Sequence, residues 1–199
     1  MPRSAMHGLR CSPALVGWTR LLDEWVVGLT SFNRPSASSA TCWEDLASTR
    51  ATLVAAAARA RSFALASPSE DRLAFEEDGT LRFELQGCSY VVAADQTSPS
   101  AVDGFEGDAL EALDRAANRA KEASDPAEHP VGVVFVTPVL DVGLAPEQRA
   151  AMAHTIVADS RRLPTSAAAY SFPSVPEKAR YHYVTDQYPG ALVLVRSMA

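Results

Sequence analysis

Thr80–Thr97, TLRFELQGCSYVVAADQT, is the stretch whose reading decides the fold. It reads as two short strands, Leu81–Gln86 and Ser89–Ala94, joined by a tight turn at Gly87 and followed by a polar tail, Asp95-Gln96-Thr97. Upstream, Arg72–Glu76 is a candidate strand and Glu77-Asp78-Gly79 a strong turn signal. Together these segments predict an antiparallel three-strand meander. Asp71, Glu84 and Asp95 are the acidic side chains of the region that fall where a hydrolytic site would sit.

Working outward, Asp108–Ser124 has the spacing of a helix, with Leu110, Leu113, Ala117 and Ala120 turned inward. Beyond the breaker at Asp125–Pro130 comes Val131–Val139, VGVVFVTPV, the most apolar run in the chain. It lacks alternation, so both of its faces are expected to be buried. It is the natural central strand, parallel to the last strand of the meander and reached through the preceding helix. A further helix over Pro146–Arg162, with Met152, Ile156 and Leu163 inward, precedes two strands at Ala168–Phe172 and Ala191–Arg196.

Towards the N-terminus, Met1 to about Pro13 shows no periodicity and is expected to be a loose end. Leu15–Leu29 puts Leu15, Trp18, Leu22, Trp25, Val26 and Leu29 on one helical stripe. That stripe suits either a helix docked on the domain or a partner-binding face anchored by Trp18 and Trp25. Asn33–Ala40, NRPSASSA, reads as a linker. A second helix is expected over Trp43–Leu65, with Glu44 and Asp45 in its first turn and Leu46, Leu53, Val54, Ala57 and Phe63 buried. Arg50, Arg59 and Arg61 lie off that stripe, as a solvated face would.

The expected organisation is an N-terminal helical arm and linker over 1–40 and a single α/β domain over 41–199, with a mixed central sheet flanked by helices. The chain has 199 residues, 47% of them hydrophobic and 21% charged, which suits one domain with a real core. A formal net charge of −6 counts against a protein that coats nucleic acid. No run of 18 apolar residues exists to cross a membrane. Cys11, Cys42 and Cys88 lack any paired spacing and read as free thiols in a reducing, cytoplasmic setting. The four histidines have no metal-ligand spacing, and nucleotide-loop and nucleophile-elbow motifs are absent.

The order helix, three-strand meander, helix, buried strand resembles the core of the restriction-endonuclease-like superfamily, the PD-(D/E)xK nucleases. The resemblance rests on Trp43-Glu44, Ala57-Ala58-Arg59-Ala60, Leu81–Leu85, Ala93–Gln96 and Phe135-Val136-Thr137-Pro138, and spans roughly Trp43 to Arg196. It implies a Mg²⁺ site of two carboxylates beside a lysine. Glu84 matches the first carboxylate. The Glu-x-Lys end falls on AADQ, where Ala93 with Asp95, or Ala94 with Gln96, replaces glutamate and lysine. No lysine occurs from Met1 to Ala120, and Arg72 or Arg82 could replace its charge without acting as a base.

The resemblance therefore implies a degenerate, non-cutting member that binds a protein partner or a second copy of itself, in a bacterial defence setting, with no cofactor. Trp18 and Trp25, or Tyr181 and Tyr183 in the C-terminal aromatic segment, would supply the contact. The alternative is a metal-dependent nuclease in which Glu44, Glu84 and Asp95 form a rearranged site, with Glu84 and Asp95 holding Mg²⁺.

Overall fold

In a computed structural model, the structure describes residues 6–15, 17–32, 46–64, 73–99, 104–139, 146–172 and 190–198. Among them, strands β1 (Met6–Cys11), β2 (Thr80–Leu85), β3 (Cys88–Thr97), β4 (His129–Val136), β5 (Ala167–Phe172) and β6 (Ala191–Ser197) form one sheet. Helices α1 (Trp18–Phe32), α2 (Leu46–Ala64), α3 (Phe105–Ala123) and α4 (Pro146–Ser160) accompany it. The spatial order is β1-β5-β6-β4-β3-β2. β3 and β4 run parallel and every other neighbouring pair is antiparallel, so the sheet is mixed.

The β2–β3 hairpin closes where the sequence places it. Leu85 pairs with Cys88, and the two loop residues Gln86 and Gly87 have φ of 53° and 77°. That is the primed two-residue turn that matches strand twist, and glycine is what its second position favours. Leu73–Glu76 departs from the expected meander. No strand is formed there; Glu76 N–H donates to Thr80 O at 2.7 Å and Gly79 N–H to Glu76 O at 3.0 Å, so the chain turns directly into β2. Asp78 fixes the entry, its Oδ1 accepting from Thr80 N–H at 2.8 Å and from the Thr80 hydroxyl at 2.6 Å.

Alternation along the strands separates two cores. Leu81, Phe83, Leu85, Tyr90, Val92, Val131, Val133, Phe135, Val193 and Val195 pack with α1 and α2. Val134, Val136, Leu192 and Leu194 turn the other way, onto Phe105, Ala109, Ala112, Leu113 and Ala116 of α3 and Ile156 of α4. β4 is buried on both faces from Val131 to Val136, as its unbroken apolar run predicts. The inward stripe of α3 is mostly alanine, which lets the helix lie close to the sheet. A Cβ on Gly132 would come within 2.5 Å of Ala117 N. Leu110, expected inward, is one of the few exposed large hydrophobic residues, and the burial falls instead on Ala109 and Ala112.

Two expectations for the N-terminus are corrected. Met6–Cys11 is not a loose end but the edge strand β1, paired along β5 from Met6↔Phe172 to Cys11↔Ala167. The helix after it is not an arm. Trp18, Leu21, Leu22, Trp25 and Leu29 of α1 are all buried in the larger core, with Trp18 0% and Trp25 1% exposed. The N-terminal segment is thus built into the α/β layer structure, because its apolar stripe is the cover for one face of the sheet.

Candidate functional site

β3 is longer than its partner. Thr80, the first residue of β2, pairs with Ala93, so among the described residues Ala94–Thr97 run past the hairpin with β4 as their one strand neighbour. A strand left bare on one side presents unpaired backbone groups. Here side chains take them up. Ala94 O accepts from Arg119 Nη2 at 2.9 Å and from Arg50 Nη2 at 3.3 Å. Gln96 N–H donates to Asp95 Oδ1 at 2.8 Å. The other carboxylate oxygen, Asp95 Oδ2, meets Arg115 Nε at 3.0 Å and Arg119 Nη2 at 3.6 Å.

The arginines arrive from both layers. Arg115 and Arg119 lie one turn apart on α3, beside its buried alanine stripe, and Arg115 also pairs with Glu111 at 2.7 Å. Arg50 comes from α2, its guanidinium 4.8 Å from the centre of the Phe75 ring. Burial holds the Arg50 guanidinium below its ordinary range; nearby Arg119 pushes the same way and Asp95 opposes. On the α1–α2 face, Gln96 Nε2 donates to Thr137 Oγ1 at 3.1 Å, and the Ser98 and Thr137 hydroxyls are 2.8 Å apart.

Glu84 is not part of this cluster. It sits opposite Ser89 near the turn, on the same sheet face as Asp95 but six residues along β3 from it. At about 3.3 Å per residue the two positions are roughly 20 Å apart. Glu84 is exposed, and Asp95 already has both oxygens engaged. The two carboxylates expected to share a metal therefore do not converge. No group of three or more potential ligating side chains occurs among the described residues. Arg82, weighed as a lysine substitute, instead donates to Glu76 Oε2 and Ala123 O, each at 2.7 Å, and ties the hairpin to the end of α3.

Trp18 and Trp25 are corrected as partner anchors. Trp18 packs edge-on against Tyr90 and tilted against Phe83, and Trp25 lies against Phe135 while its Nε1 donates to Thr52 Oγ1 at 3.2 Å. Neither ring reaches the surface. Glu44, Asp71, Tyr181 and Tyr183 lie outside the described residues. Of the histidines, His7 Nδ1 is 3.1 Å from the Ser171 hydroxyl across the β1–β5 pair. Arg115 and Arg119 escaped the sequence reading because an acidic–basic stripe at helical spacing looks the same whether it faces water or a strand edge.

What this end of β3 offers, among the described residues, is an excess of guanidiniums over carboxylates: Asp95 is shared by Arg115 and Arg119, and Glu111 pairs with Arg115. No family model matches the chain, and no match was found among curated proteins or among solved structures.

Proposed function

We propose that this chain is a non-cutting protein of restriction-endonuclease-like build that works by binding another protein. The observation that carries the reading is the state of Asp95. Its two oxygens are taken by Gln96 N–H and by Arg115 and Arg119, while Glu84 stands about 20 Å along the hairpin. Mg²⁺ in a nuclease needs oxygen ligands converging on an octahedron, with an attacking water held beside them. A hairpin, a helix and a parallel buried strand in that order support the nuclease-like build. The missing lysine and the arginine-clamped acid support loss of cutting.

The test is cleavage of DNA and RNA in Mg²⁺ and Mn²⁺, with solution mass measured on the same preparation. The expected result is no cutting, together with a mass above that of the monomer or a stoichiometric bound protein. Cutting that disappears in Glu84→Ala overturns the reading in favour of a metal-dependent nuclease. A strict monomer with no protein bound to it removes the interaction half.

A further inference from the structure

The guanidiniums at the end of β3 exceed what the strand edge requires. Arg50 and Arg119 both donate to Ala94 O, so their Nη2 atoms lie no farther apart than the sum of a 3.3 Å and a 2.9 Å bond. One neutral carbonyl oxygen thus sits between two cations. Arg115 adds a third within reach of the same carboxylate, at 3.0 Å from Asp95 Oδ2. Among the described residues, the acids paired with these arginines are Asp95, whose side chain is 17% exposed, and Glu111, whose side chain is 74% exposed and largely solvated.

The donor count is also unbalanced. Arg50 Nε is buried and has no hydrogen-bond partner among the described residues. Leaving a buried charged donor unpaired is costly, and an incoming anion would relieve it. The ring of Phe75 backs the Arg50 guanidinium and limits where it can turn. Arg115 and Arg119 keep 50% and 45% of their side-chain surface open, so the cluster is reachable from solvent. Planar guanidiniums bind oxyanions through paired N–H donors, and a doubly charged group offsets the excess here better than a single carboxylate does.

We propose that Arg50, Arg115 and Arg119 form a binding site for one phosphate group, seated at the end of β3 between α2 and α3. The site stands whether or not the chain shares a nuclease-like build. The phosphate belongs either to free inorganic phosphate or to a phosphomonoester.

The experiment is calorimetric titration of the full chain with inorganic phosphate, with O-phosphoserine and with acetate, all at matched ionic strength. Saturable binding of a phosphate compound, at least about tenfold tighter than acetate, is expected. Arg119→Gln should weaken it by about tenfold or more. Arg115→Gln, at a half-exposed position that folding tolerates, should weaken it in the same direction and serves if Arg119→Gln does not fold. Equal affinity for the two phosphate compounds assigns the site to the phosphate group itself, and tighter O-phosphoserine binding assigns it to a phosphorylated ligand. Heats indistinguishable from those of acetate, or binding unchanged in Arg115→Gln, overturn the proposal.

Discussion

Asp95 caps the bare end of β3. Its Oδ1 closes the Gln96 N–H and its Oδ2 anchors two arginines of α3. Asp95→Ala removes both, and should lower stability by about 1–2 kcal/mol, because Arg115 and Arg119 are half solvated and the charge pairs are screened. Asp95→Asn keeps an acceptor for Gln96 N–H, so its cost should stay below about 1 kcal/mol. Urea unfolding of both variants separates the two roles, and equal losses would argue against the cap. Cys11 offers a second check at this scale. Burial raises its thiol pKa, with a hydrogen bond to Thr19 pulling the other way. The stability gained by keeping that thiol protonated is fully present below the unfolded thiol value and is lost as pH rises through the higher folded value. Iodoacetamide at pH about 8.5, near the ordinary thiol pKa, should modify Cys11 more slowly in the native chain than in the urea-unfolded one, as followed by peptide mass spectrometry.

At the scale of elements, the contact of α3 with β4 is the tightest test of packing. Gly132 faces Ala117 so closely that a Cβ would meet backbone atoms of the helix at 2.5 and 2.7 Å. Backbone cannot swing away as a side chain can, so Gly132→Ala should cost about 1–3 kcal/mol, read as a fall in the urea midpoint without a change in slope. The helices and strands from Thr80 onward were legible in the sequence because each carries a strong local signal. Gln86-Gly87 makes a turn, Val131–Val136 is continuous apolar chain, and the alanines of α3 recur at helical spacing. β1 was not legible. MHGLRC has neither alternation nor a β-branched run, and it becomes a strand only because β5 offers it an edge. The same limit hid the site: the meeting of Arg50 with Arg119 joins residues on two different layers, which no spacing along the chain records. Trp18 and Trp25 were legible as a stripe, but a stripe does not say whether sheet or partner covers it. Replacing either with alanine should cost about 3–5 kcal/mol, in keeping with core aromatics and not with surface anchors; thermal or urea unfolding of the pure protein decides it.

For the molecule as a whole, the six strands and the four helices among the described residues make a three-layer arrangement with cores on both sides of the sheet. Its first layer is incomplete without α1, whose Trp18, Leu21, Leu22 and Trp25 bury fully against it. A chain shortened to 41–199 should therefore fail to fold cooperatively, losing its near-ultraviolet circular dichroism, whereas a detachable arm would leave that signal intact. No helix among the described residues is long and apolar enough to cross a membrane. The central claim is that the end of β3 is a clamped, arginine-rich binding corner and not a cutting site. Incubation of the purified full chain with DNA and with RNA, in Mg²⁺ and in Mn²⁺, alongside Glu84→Ala and Asp95→Asn, tests it most directly. The expected result is intact nucleic acid in every lane; cleavage by the unaltered chain that is lost in Glu84→Ala or Asp95→Asn would contradict it.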